Sequence, residues 1–147
     1  NLGTALAAVG KSVLVMDIDP QGNASTGLGI SREQRGTTIY EVIIGQANLE
    51  DSVVPSAIPN LHVIPATPDL SGAEMELVGV PRRSFRLRDA VTAYIAKTEG
   101  LKPSGKDLAK AGDNLVPYDF ILIDCPPSLN LLTINAMTAA HALLVPL

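Results

Sequence analysis

Two acidic strand ends stand out in this 147-residue chain. The first is Met16-Asp17-Ile18-Asp19-Pro20-Gln21-Gly22-Asn23-Ala24-Ser25, directly behind the apolar run Val13 to Met16. The second is Asp124-Cys125-Pro126-Pro127-Ser128, directly behind Phe120 to Ile123. Carboxylates at such positions can hold Mg²⁺ through water or orient an attacking water, and phosphoryl transfer needs both. The plainer alternative is that each aspartate ends its strand by capping the next turn. Two such loops in one chain favour a shared site. In the first loop Pro20 fixes one backbone angle and Gly22 frees another. Gln21, Asn23, Ser25 and Thr26 add short polar groups able to contact a phosphate or water, although an ordinary surface turn needs the same residues. After Asp124, Pro126 and Pro127 stiffen the exit, and Ser128 is a candidate N-cap for an apolar helix from Leu129 to Ala140.

These loops need a scaffold, and the hydrophobic pattern supplies one. Val13 to Met16, Leu61 to Ile64, Phe120 to Ile123 and Ala142 to Val145 are short apolar runs, as in strands buried on both faces of a parallel sheet. We expect four parallel strands. Helices are expected over about 38–44, 72–79, 84–98 and 129–140, with Leu87, Val91, Tyr94 and Ile95 on one face of the third. A further helix opens the chain, with Leu2, Leu6 and Val9 on one face and Gly10 as its stop. Gly100 to Pro117 reads as a loop. The fold class is therefore α/β, a partial doubly wound parallel sheet, with ligands expected beyond the carboxyl ends of the strands. The first helix has an end but no beginning, so the chain reads as a fragment forming a single incomplete domain over 1–147.

Composition narrows the function. The chain is 46% hydrophobic but only 3% aromatic, so its core is aliphatic. A net charge of -4 argues against a wholesale nucleic-acid binder. The single cysteine, Cys125, permits no internal disulfide and reads as a small buried residue at a strand end. No apolar run approaches the roughly 20 residues needed to span a bilayer, so the chain is expected to be soluble, and its single cysteine fits a reducing compartment, with the cytoplasm as the default. Arg82, Arg83, Arg86 and Arg88 read as a solvated helix face rather than a DNA contact, since Asp89 follows and Phe85 alone offers little stacking. His62 and His141 have no ligand spacing around them.

The segments DIDPQGNASTGLGI and YDFILIDCPPSLNLLTINAMTAAHALLVPL resemble the ParA/Soj family of partitioning ATPases, in the deviant Walker group of P-loop NTPases. Leu61 to Ala66 and Arg82 to Arg88 fit the same pattern. The resemblance implies ATP and Mg²⁺ as cofactors, with Asp19 orienting the hydrolytic water and Asp124 acting on Mg²⁺ through water. Asp17, Pro20, Gln21, Gly22 and Asn23 would form one switch, and Cys125, Pro126, Pro127 and Ser128 the other. It further implies an ATP-dependent homodimer on nonspecific nucleoid DNA, a centromere-binding partner protein and no membrane. The family's KGGVGKTT phosphate loop occurs nowhere in this chain. On that ground the chain alone is expected neither to bind ATP tightly nor to hydrolyse it, and to be poorly stable. The rival readings are a pseudo-ATPase interaction module and a MinD-like division-site ATPase.

Overall fold

Val13–Asp17 is a run of branched and apolar residues ending in a carboxylate, and it forms the strand β1 at the centre of the sheet. In the computed structural model, which describes residues 1–101 and 115–145, the elements in order are α1 (Leu2–Ala8), β1, α2 (Asn23–Gly27), α3 (Ile39–Ile44), β2 (Val54–Pro55), β3 (Leu61–Ile64), α4 (Ala73–Glu76), α5 (Arg86–Thr98), β4 (Phe120–Asp124) and α6 (Leu131–Ala139). The sheet order is β2-β3-β1-β4. β1 pairs in parallel with both β3 and β4.

Residues alternate between faces along each strand, so β1 feeds two cores. Leu14 and Met16 join Ile64 in a large cluster with Ile39, Leu87 and Leu132 from the helices on one face. Val13 and Val15 join Leu61 and Val63 on the other, against Ala7 of α1. The sheet is thus covered on both sides, which is why its strands read as continuous apolar runs. Each fully buried large apolar side chain contributes about 1.5–3 kcal/mol.

The expected strands at Val13, Leu61 and Phe120 are present and parallel. The fourth differs. Ala142 to Val145 pairs with no strand among the described residues, and Leu143, Leu144 and Val145 are 62%, 78% and 75% exposed. An apolar run becomes a strand only when a neighbouring backbone takes its N–H and C=O groups. The fourth strand is instead β2, which runs antiparallel to β3 at the sheet edge. Two residues are too few to show periodicity, and Pro55, with no N–H to give, suits only an edge.

α1 packs through Gly3 and Ala7 together with the partly buried Leu6 of the expected stripe, while Leu2 and Val9 lie exposed. A Cβ on Gly3 would meet Val15 Cγ2 at 3.2 Å and Leu61 Cδ1 at 3.3 Å, so small residues set the helix-to-sheet distance. The helix expected over 72–79 shortens to Ala73–Glu76, and the chain turns away at Gly79, where φ is +78°. The expected helices at 38–44 and 84–98 appear as α3 and as a 3₁₀ turn, Arg83–Phe85, leading into α5. Most of the loop expected over Gly100 to Pro117 lies at 102–114, outside the described residues.

Candidate functional site

Parallel pairing of β1 with β4 puts Asp17 opposite Asp124, so the two acidic strand ends are neighbours at the carboxyl edge of the sheet. Adjacent strands lie roughly 4.8 Å apart. The Ile18 N–H donates to the Asp124 carbonyl at 2.8 Å and carries the pairing one residue further. The convergence of distant aspartates expected from the sequence is therefore present.

The three acids are not equivalent. Asp17 is fully buried, and its carboxylate accepts hydrogen bonds from Asp19 N (3.2 Å), Ser25 N (2.7 Å) and Ser25 Oγ (2.6 Å). A buried carboxylate needs such donors, and this one has them. Asp17 organises the loop. Asp19 is half-buried; its Oδ1 accepts from Gln21 N at 2.9 Å, and its carbonyl accepts from Gly22 N at 2.9 Å. The loop folds back on itself around Asp19 and leaves Oδ2 without a partner among the described residues.

Asp124 carries the least support. Among the described residues its carboxylate accepts no hydrogen bond. Partial shielding from water, then the charges of Asp17 and Asp19, hold its carboxyl above the usual range. Excess negative charge at one strand edge is a setting that a divalent cation relieves. Among the described residues no group of three His, Cys, Asp or Glu side chains is arranged to hold a metal by itself. These acids could serve Mg²⁺ only if the cation completed its shell with water and other oxygens, since so few protein donors stand together here. They do not amount to a phosphate cradle, because no glycine-rich, lysine-bearing loop occurs in the sequence. An open groove of about 1090 Å³ is lined by residues of α1, β4 and α6, among them Leu2, Ile123, Asp124 and Met137, and by Leu143.

The other candidates are redistributed. Ser25 is buried; its hydroxyl donates to Asp17 and accepts from Ala66 N at 3.2 Å, so it does not face a ligand. Thr26 Oγ1 is likewise engaged, with Gly22 O and with Arg35. Gln21 and Asn23 are exposed. Ser128 is not the N-cap of α6. Asn130 is, accepting from Thr133 N at 3.0 Å, while the Ser128 carbonyl takes the Thr133 hydroxyl and Glu74 Oε1 takes Leu131 N at 2.7 Å. The helix starts at Leu131 rather than Leu129, which leaves Ser128 two residues ahead of the capping position.

Cys125 is exposed rather than buried, because β4 has β1 as its one neighbour among the described residues and the chain leaves the sheet there. Shielding and then the Asp124 charge push its thiol up, which disfavours thiolate chemistry. Of the arginines, Arg82 pairs with Asp89 at 2.8 Å, Arg82 and Arg88 stack on Phe85, and Arg86 Nε donates to the Ile43 carbonyl at 3.0 Å. His62 is buried with Nδ1 2.7 Å from Tyr118 Oη, and His141 is exposed. Sequence reasoning passed over Arg35, which donates to Ala66 O, Ile30 O and Thr26 Oγ1. Nothing local flags it, because its partners lie up to 31 residues away.

A family model described as AAA domain matches residues 1–147. The chain belongs to that family. Its curated likenesses lie with ParA and Soj: it is 54% identical over 147 residues to "Chromosome partitioning protein ParA" of Caulobacter vibrioides (strain NA1000 / CB15N), covering 100% of this chain and 48% of that protein. It is 43% identical over 146 residues to "Sporulation initiation inhibitor protein Soj" of Bacillus subtilis (strain 168), covering 99% of this chain and 50% of that one. The chain thus spans about half the length of the curated relatives it matches. Among solved structures it is similar to cobyrinic acid a,c-diamide synthase from Mycobacterium smegmatis with bound ATP analog and magnesium, with a TM-score of 0.75 and 34% identity, covering 95% of this chain and 49% of that one. The α/β sheet is that of P-loop NTPases. Among the described residues no helix is long and apolar enough to cross a membrane.

Proposed function

We propose that this chain is the switch-bearing part of a ParA-like, Mg²⁺-dependent partitioning ATPase. The observation that carries the reading is the side-by-side register of Asp17 and Asp124, with Asp19 two residues beyond on a loop that Asp17 itself organises. In this reading Asp19 orients the hydrolytic water through its unpartnered oxygen. Asp124 holds Mg²⁺ through water, and the cation supplies charge neutralisation for phosphoryl transfer. Asp17, Pro20, Gln21, Gly22 and Asn23 form the first switch, and Cys125, Pro126, Pro127 and Ser128 the second. The phosphates are held by a lysine-bearing loop that these residues do not provide. Nonspecific DNA, an ATP-dependent homodimer, a centromere-binding partner and association with the nucleoid follow from likeness to the partitioning relatives. Their names favour partition over a MinD-like role.

The test uses the full-length natural protein that contains this sequence. Mg²⁺-dependent ATP hydrolysis is expected, and Asp19→Ala should lower turnover about 100-fold while nucleotide-dependent dimerisation persists. Unchanged turnover removes Asp19 from its role, and no hydrolysis by the wild type favours the pseudo-ATPase module. Residues 1–147 alone should not bind ATP tightly. Micromolar affinity measured by calorimetry with Mg²⁺ would overturn that expectation.

A further inference from the structure

The loop that carries Asp19 is not held by its own residues alone. Arg35 reaches back over it from beyond the 3₁₀ turn Arg32–Gln34, and its guanidinium spans three separate pieces of chain. Nη1 donates to Ala66 O at 3.0 Å, at the exit of β3. Nη2 donates to Thr26 Oγ1 at 2.7 Å in α2, to Ile30 O at 3.1 Å beyond it, and more weakly to Gly22 O at 3.4 Å. Every acceptor is a carbonyl or a hydroxyl. Among the described residues Arg35 makes no ion pair, and its buried Nε has no partner. A charge kept half-buried without a carboxylate is held for its geometry, since only a planar fork of donors reaches several acceptors at once.

Two further observations place the same group at the hinge of the loop. Gly22 has φ +64°, and a Cβ built there would lie 2.4 Å from Arg35 Nη1 and 3.2 Å from the Ala66 carbonyl. The guanidinium therefore fills the space that the missing side chain leaves. Both sides of residue 66 also belong to this loop, because Ala66 N donates to Ser25 Oγ while Ala66 O accepts from Arg35. Ser25 in turn holds Asp17, and Asp17 holds the Asp19 amide. A continuous chain of contacts runs from Arg35 to the backbone of Asp19.

We propose that Arg35 is a positioning residue: it staples the Asp17–Ile30 loop to the exit of β3 and so sets where Asp19 stands relative to Asp124. It acts through the loop and touches no reacting group. The inference rests on the ATPase reading for its effect on turnover, but the staple itself is a property of the loop and is measurable without nucleotide.

In the full-length natural protein, Arg35→Gln should raise amide hydrogen exchange at Gly22, Ser25 and Ala66 by about tenfold without nucleotide. It should lower kcat for ATP about tenfold with KM changed less than about twofold, the split expected when positioning rather than binding is lost. Arg35→Lys should restore neither, because an ammonium cannot bridge Ala66 O and Thr26 Oγ1 together. Thr26→Val, which deletes one Arg35 acceptor along with the Thr26 bond to Gly22 O and keeps the charge, should raise exchange at Ala66, which Thr26 does not touch, about twofold and serves where Arg35→Gln does not fold. Unchanged exchange in these variants overturns the staple. Raised exchange with unchanged kcat, or full rescue by lysine, overturns the positioning role. If the wild type hydrolyses no ATP, the ATPase reading fails while the exchange measurements still decide the staple.

Discussion

The two ends of this sheet differ in how far they pair polar groups, although the contrast is one of degree: Asp17 at the carboxyl end is fully hydrogen-bonded, and Ser12 Oγ at the amino end is buried without a partner among the described residues. At the amino ends of β1, β3 and β4, Ser12 N donates to Asp119 at 2.8 Å, His62 meets Tyr118, and Tyr94 Oη both donates to Val116 O (2.6 Å) and accepts from Val116 N (3.0 Å). Tyr94 also stacks on Tyr118 with ring centroids 6.1 Å apart. Burial pushes the Tyr94 hydroxyl up to about 12 and lowers His62, so both stay neutral at pH 7. At the carboxyl ends, Asp124 and one oxygen of Asp19 are left with like charges for neighbours. Satisfied polar groups specify a fold, whereas uncompensated acids raise its energy unless something binds. On the function proposed above, the first end serves stability and the second serves the chemistry.

Substitutions at the two ends should shift stability in opposite directions. Tyr94→Phe deletes a hydroxyl that serves both groups of Val116, and it should cost about 1–3 kcal/mol in denaturant unfolding, with ATP turnover of the full-length protein unchanged at temperatures where it stays folded. A neutral result would make the amino end as dispensable as any surface. Asp124→Asn should do the reverse, raising stability without ligand by up to about 1 kcal/mol, because it removes a charge that Asp17 and Asp19 repel across a partly solvated edge. The same variant should lose the Mg²⁺ dependence of nucleotide binding, and intact dependence would reassign the acid.

Proton linkage gives the smallest effects. His62 has its folded-state pKa lowered from 6.5 by burial, so the unfolded chain binds the extra proton first. Stability should fall by about 1 kcal/mol or less as pH drops below 6.5, and His62→Gln should flatten that slope. Asp124 has the opposite sign: shielding from water first, and then the charges of Asp17 and Asp19, raise its pKa, so protonation relieves both in the folded state. Acid should therefore weaken Mg²⁺ binding at a higher pH than an ordinary carboxylate would, and calorimetric titration across pH distinguishes the two ends.

The placement of the candidate site's acids was legible wherever it depends on short stretches of chain. Asp17, Asp19 and Asp124 each follow an apolar run, and a parallel sheet brings such strand ends to one edge whatever the loops do. The roles of the loop residues were not legible in the same way. Ser25 and Thr26 have the composition of ligand contacts but spend their hydroxyls on Asp17, Gly22 and Arg35. Ser128 had the right type for a cap, and Asn130 had the right place.

What the residues determine by themselves is periodic and local: three parallel strands, the helices at 38–44 and 84–98, and acids where the strands end. Side-chain alternation and apolar runs encode these within a few residues, so no distant partner is needed to read them. Only the tertiary structure decided which aspartate is buried and which is exposed, that Gly3 rather than Leu2 meets the sheet, and that Arg35 clamps a loop from 13 residues beyond Gly22. Those outcomes depend on atoms far apart in sequence coming within a few ångströms, and no local pattern records that distance.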